Sequence, residues 1–175
     1  MTVLETARLR LEPMSEAHYA GLRVLNGDPE VMRYITGAAE TPEETHAVIA
    51  RVQERWARFG YSWWSFIERQ TGELVGAGCI QHLRHDPANP HEIGWRLRPN
   101  RWGMGYALEA AQRMARFAFE ELEAPLLCAV CDRDNERSAH LMRKLGMRLR
   151  GEEVWDGYPV LLYEIDRADW ERNAA

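Results

Sequence analysis

The chain has 175 residues, with 27 acidic against 22 basic side chains and a formal net charge of -5. That balance excludes the broad positive field on which non-specific nucleic-acid binding depends. The length suits one domain, residues 1–175, with enough chain to bury a sizeable core.

Residues 7–12 alternate Leu9 and Leu11 with charged residues, so they are expected to form a half-buried strand ending at Pro13. Ser15 then caps a helix to about Leu25. Asp28-Pro29 opens a second helix, with Asp at the N-cap and Pro in the first turn. Thr41-Pro42-Glu43-Glu44 repeats the signal for a longer helix through Ile49, Val52 and Trp56, stopped by Gly60. Residues 61–68 and 74–81 are β-prone runs on either side of a short polar turn, a hairpin. A polar loop (84–90) leads into a strand over 91–97.

Residues 98–122 come next, RPNRWGMGYALEAAQRMARFAFEEL. An apolar run breaks at Pro99-Asn100, passes Gly103 and Gly105, and becomes a long helix with Ala107, Leu108, Ala111, Met114, Ala115, Ala118 and Leu122 on one stripe. A strand that feeds a glycine turn opening a helix is a way to hold an anion. The first helical N–H groups lack partners, the dipole is positive there, and glycine lets a phosphate approach the backbone. After Pro125, residues 126–131 are a short buried strand. Asn135 caps a helix ended by Gly146 at C′, and residues 147–154 and 160–165 form a final strand pair. The order predicts an α/β (α+β) fold with a mixed, largely antiparallel sheet flanked by helices.

The chain has three cysteines. Two lie in apolar runs, and packing as reduced thiols explains them better than disulfides. Cys128-Ala129-Val130-Cys131 has no second ligand pair, so no metal site is expected. With no leader pattern and no membrane-length apolar stretch, a cytoplasmic protein without membrane or nucleic-acid partners is expected.

Four pieces together resemble the GNAT superfamily of acetyl-CoA-dependent N-acetyltransferases, and within it the RimJ/RimL-like branch. They are Leu9-Arg10-Leu11-Glu12-Pro13, Leu74-Val75-Gly76, the run Trp102-Gly103-Met104-Gly105-Tyr106-Ala107 with Glu109-Ala110, and Asn135-x-x-Ser138 leading to Lys144-Leu145-Gly146-Met147. The resemblance implies that the coenzyme pyrophosphate sits on backbone amides of Gly103, Met104, Gly105, Tyr106 and Ala107. It implies that the pantetheine arm pairs with main chain around Leu97 and Arg98, contacts Asn135, and enters between central strands that splay apart. Asn100 stands where the wider pattern has Gln or Arg, and the neighbouring Arg101 is expected to supply positive charge there.

Acetyl transfer to an amine needs a base, a polarised carbonyl and a proton for the departing thiolate. Glu92 is the leading base, with His91 and His82 as alternatives. Many family members carry a tyrosine seven residues after the Asn, where this chain has Met142. Ser138 is the replacement acid that the RimL-like pattern suggests, and a plain first-turn role fits it equally. A backbone N–H near Leu97 is the expected oxyanion donor. Among the aromatics, Tyr34, Trp64 and Trp95 are the expected acceptor contacts, and Glu152, Glu153 and Asp156 could attract a cationic amine. The expected reaction is direct attack of a primary amine, a protein N-terminus or a small molecule, on acetyl-CoA. A coenzyme-binding module without transfer is the rival, and assembly, including a homodimer, is open.

Overall fold

The computed structural model describes residues 1–174. Eight strands form one sheet: β1 (Leu4–Glu5), β2 (Leu9–Pro13), β3 (Trp63–Glu68), β4 (Leu74–His82), β5 (His91–Leu97), β6 (Leu126–Asp132), β7 (Arg148–Trp155) and β8 (Tyr158–Asp166). Their order is β1-β2-β3-β4-β5-β6-β8-β7. Every neighbouring pair is antiparallel except β5 and β6. That parallel pair is short. It holds at His91↔Leu127 and Glu92↔Cys128 and then stops, although each strand has seven residues. The two middle strands therefore part after Glu92, as the resemblance implied.

The helices are α1 (Tyr19–Asn26), α2 (Pro29–Met32), α3 (Pro42–Phe59), α4 (Tyr106–Arg116), α5 (Glu136–Lys144) and α6 (Arg167–Ala174). In α3, Thr41 Oγ1 accepts from Glu44 N at 3.2 Å and Glu44 Oε2 accepts from Thr41 N at 2.7 Å. This reciprocal cap is what the sequence predicts, and Gly60 ends the helix in the left-handed region at φ 78. Thr45, Ile49, Val52 and Trp56 are the buried stripe of α3. Two layers flank the sheet. A methyl group at Gly78 would lie 2.8 Å from Met114 of α4, whereas Arg55 of α3 reaches Gln81 on the other face. Neighbouring residues of a strand point to opposite faces, so β5 sends His91, Ile93, Trp95 and Leu97 toward α4, and Glu92, Gly94 and Arg96 toward α3.

Several boundaries differ from expectation. The first strand begins at Leu9 and follows a two-residue strand too short to announce itself. The helix at Ser15 opens with a 3-10 turn, Glu16–His18, and α2 lasts four residues. The long helix ends at Arg116 and continues as a π-helical turn, Phe117–Glu121. β7 and β8 are joined by Asp156-Gly157 alone, at φ 51 and 86, so β7 is shifted by one residue from expectation and β8, at nine residues, is longer than read. The helix α6 carries little apolar pattern; Trp170 stacks on Phe119 at 5.4 Å and Asp166 Oδ1 accepts from Asp169 N at 2.7 Å.

Candidate active site

The register of β5 decides which backbone groups face the gap. Arg98 N donates to Val75 O at 2.9 Å, and Leu97 lies opposite Gly76. In an antiparallel ladder the residues bonded to the neighbour alternate with those that are not, so Trp95 and Leu97 turn their N–H and C=O groups away from β4. They turn toward the space where β6 has departed. The Leu97 carbonyl is taken by Trp102 Nε1 at 2.9 Å, with the Arg137 guanidinium stacked 4.2 Å over the Trp102 ring. Arg98, expected to share the pantetheine contact, does not face the gap. Its N–H goes to Val75, its C=O accepts from Arg101 N at 2.9 Å, and its Nε is buried without a partner.

Beyond Trp102 the chain turns through Gly103 (φ 72), exposed Met104 and Gly105 (φ 83) into α4. Gly105 offers no side-chain cap. None of Gly103, Met104 and Gly105 donates a backbone hydrogen bond among the described residues, and the first ladder bond of α4 runs from Glu109 N to Gly105 O at 3.0 Å. A run of N–H groups is thus aimed outward at the positive end of a helix dipole. Nothing lies within 4 Å of where a side chain on Gly103 would begin. That open space leaves room for a phosphate to approach the backbone.

The turn is held from outside by a residue the sequence reading missed. Arg8 Nη1 donates to Met104 O at 2.8 Å, its Nε pairs with Glu109 Oε2 at 2.7 Å, and its guanidinium lies 4.2 Å from the Tyr106 ring centre. Glu109 also accepts from Arg8 N and from Thr6 Oγ1. Burial pushes the Glu109 carboxyl up, but these hydrogen bonds outweigh it and leave the pKa lowered.

Tyr106 is buried and its hydroxyl donates to Glu68, so its side chain is an anchor and only its backbone can serve a ligand. Hydrogen bonds from Tyr106 and Thr71, and then from Arg101, pull Glu68 down to about 2 against the effect of burial. This corrects the expectation for Arg101. Its Nη2 sits 3.1 Å from Glu68 Oε2 and 3.4 Å from Glu73 Oε2. The charge is committed to the β3–β4 hairpin and not to the coenzyme turn.

On the α3 face Glu92 Oε2 accepts from Gln81 Nε2 at 3.1 Å. Gln81 Oε1 in turn accepts from Trp63 Nε1 at 3.3 Å and Arg55 Nη1 at 3.5 Å, which fixes the amide with its NH2 toward the carboxylate. Burial raises the Glu92 pKa, and the Gln81 hydrogen bond only partly opposes it. The alternatives His91 and His82 lie on the other face, stacked at 4.6 Å. Both ring Nε2 atoms contact the Tyr61 hydroxyl, at 2.8 and 3.1 Å, and His82 Nδ1 contacts Asn89 O at 3.0 Å. Burial, then His82, lowers the His91 pKa.

Asn135 Oδ1 accepts from Ser138 N at 3.2 Å, so the cap is made and the amide nitrogen of Asn135 is left over. The Ser138 hydroxyl makes no protein hydrogen bond among the described residues, and Ser138 is half-buried. Met142 is buried, 2% exposed.

Two aromatic expectations need correction. Trp64 is fully buried at 0% exposure, with Trp56 and Phe117 edge-on at 5.1 and 5.4 Å, so it belongs to the core. Trp95 is half-buried but points to the α4 face, away from Glu92. Tyr34 is half-buried beside Arg33. Glu152 pairs with Arg133 at 3.7 Å and Glu153 Oε2 accepts from Trp155 Nε1 at 2.7 Å, so part of the hairpin's acidity is already used.

A strand pair that opens beside an uncapped helix N-terminus is the arrangement that the resemblance implies for an acyl-coenzyme A cradle, and the Glu92 carboxylate stands at the fork. Residues 8–148 match the acetyltransferase (GNAT) domain family, and the chain belongs to that family. YkkB of Bacillus subtilis (strain 168) is 30% identical over 165 residues, covering 93% of this chain and 95% of its own. The crystal structure of an acetyltransferase from Agrobacterium tumefaciens str. C58 overlays with a TM-score of 0.80 at 29% identity, covering 94% of each chain. The RimL ribosomal L7/L12 alpha-N-protein acetyltransferase, solved in complex with coenzyme A, overlays with a TM-score of 0.80 at 19% identity, covering 94% of this chain and 98% of that one, a likeness of fold alone.

Proposed function

We propose that this acetyltransferase moves an acetyl group from acetyl-CoA to a primary amine by direct attack, with residues 1–175 acting as one domain. The observation that carries the reading is the fork after Glu92, which opens main-chain donors of β5 beside the uncapped turn at Gly103 and Gly105. The turn amides of Gly103, Met104, Gly105, Tyr106 and Ala107 would bind the pyrophosphate. The remaining amide of Asn135 and the main chain at Leu97 would bind the pantetheine arm. When bound, acetyl-CoA supplies an activated acyl carbon and a thiolate leaving group.

Glu92, ionised, takes the proton of the attacking ammonium directly or through water, which frees the nitrogen lone pair. The N–H of Leu97 faces the gap and stabilises the carbonyl oxygen as it gains charge. The new C–N bond forms as the C–S bond breaks, the Ser138 hydroxyl gives the sulfur its proton, and the serine regains one, through water, from the nitrogen as that nitrogen becomes an amide. Its freedom from other hydrogen bonds supports that role. Tyr34 is the aromatic left to contact the acceptor. The RimJ/RimL-like branch belongs to this reading, supported by the Trp102–Ala110 and Asn135–Met147 runs. Three buried, unpaired cysteines support a reducing, cytoplasmic setting. Among the described residues no helix is long and apolar enough to cross a membrane.

The second reading is coenzyme binding without transfer, favoured by the buried Met142 in the tyrosine's position. Release of free thiol from acetyl-CoA, followed across an amine panel together with the acetylated product by mass, separates the two. Amine-dependent thiol release with product supports transfer; saturable binding with no product from any amine supports the module.

A further inference from the structure

Arg96 has no anionic partner among the described residues. It is 8% exposed, and its Nε is buried with no hydrogen bond. It makes no ion pair among the described residues, and its neighbour is the Trp63 ring, 4.7 Å from the guanidinium carbon. The acid that acts on it electrostatically, Glu40, is used elsewhere. Glu40 Oε2 accepts from Asn26 Nδ2 at 2.8 Å and Thr45 Oγ1 at 3.2 Å. A buried cation left unpaired is costly to the fold, so its retention calls for an anion that arrives from outside.

Its position says which anion. Glu92, Gly94 and Arg96 alternate along β5 on the α3 face, with Gly94 between the other two. Gly94 brings no side chain between them, and the buried Cys79 sulfur of β4 lies 3.3 Å from where its Cβ would stand. Glu92 stands at one end of this row and Arg96 at the other, with the Trp63 ring against the guanidinium. One end accepts a proton from nitrogen, and the other offers paired N–H donors that match a carboxylate.

Building on the acetyl-transfer reading above, we infer that the acceptor is an amine that also carries a carboxylate, its nitrogen at Glu92 and its carboxylate on Arg96. This deepens that reading by naming the substrate class. The same arrangement disfavours polyamines, whose second cation would meet the guanidinium.

The test compares glycine, β-alanine and γ-aminobutyrate with their carboxamides and with alkylamines of the same length. Each is measured for acetylation and, by calorimetry on the coenzyme A-loaded protein, for binding. The acids are expected to exceed the amides by about 10- to 100-fold in kcat/KM and in affinity. Arg96→Gln is expected to erase the difference. Arg96→Met is expected to unfold at the same or a higher temperature, because it removes an unpaired buried charge. A dipeptide with an acidic second residue tests the other source of the carboxylate. If it outperforms the free amino acids, the carboxylate belongs to a peptide N-terminus. Acids that bind while no amine is acetylated would keep the substrate class and reject catalysis. Equal binding of acids and amides would overturn the inference. So would an Arg96→Met protein that melts lower yet still discriminates, since Arg96 would then be a packing residue.

Discussion

The indole N–H of Trp102 donates to the carbonyl of Leu97 at 2.9 Å, tying the end of β5 to the start of the coenzyme turn. The bond fills one of the two backbone groups of Leu97 that face the gap and leaves its N–H as a lone donor. It also fixes the spacing between that donor and the amides at Gly103 and Gly105. Trp102→Phe keeps the ring and loses the donor. Coenzyme affinity measured by calorimetry should fall about 5-fold, the worth of one hydrogen bond of about 1 kcal/mol. An unchanged affinity would show that the tie is incidental.

Arg8 and Glu109 clamp the same turn from the opposite side, from positions far apart in the chain. Glu109→Ala leaves Arg8 without its carboxylate and the Met104 carbonyl with a loosely held partner. We expect a lower Tm and about 10-fold weaker coenzyme binding. A lower Tm with unaltered binding would confine the clamp to folding.

Burial holds the Glu92 pKa above the ordinary carboxylate value. A base must be ionised to act, so kcat/KM should climb as pH rises through that elevated pKa and level off above it. Glu92→Gln should cut the rate by about 100-fold or more and remove this acidic limb. A limb that survives the substitution belongs to another group.

Glu68 works in the other direction. Its folded pKa, about 2, lies below the ordinary value of 4.5. A depressed carboxylate contributes stability that is fully present above the unfolded pKa and lost as pH falls through the folded one. Thermal unfolding should therefore show a Tm that drops between about pH 4.5 and 2, and Tyr106→Phe should flatten that drop. If the wild-type and Tyr106→Phe curves run parallel, the Tyr106 hydrogen bond is not its source.

Local chemistry was legible in the sequence. Thr41, Glu44 and Gly60 mark both ends of α3 because caps are made by residues within a turn of the helix end. Gly103 and Gly105 mark the turn because each needs a left-handed backbone. The partner of a charged side chain was not legible. Arg101 beside the turn reads as a phosphate ligand until the hairpin brings Glu68 and Glu73 to it, and Arg8 reads as a solvated strand residue until Glu109 arrives. Trp64 failed for a related reason. An aromatic strand carries no mark of which face will be covered on both sides. The alternation Glu92, Gly94, Arg96 was in plain view, and its strand period could have placed the base and a cation on one face. That Arg96 would be buried without an acid needed the packing of α3.

The most direct measurement is a calorimetric titration of acetyl-CoA into the wild-type protein and into Gly103→Asp, which sets a carboxylate over the turn in a backbone region that favours glycine. Saturable one-site binding by the wild type, abolished or greatly weakened in the variant, is the predicted result. No saturable binding at millimolar coenzyme, or equal binding by both proteins, would contradict a diphosphate seated on the amides at Gly103 and Gly105.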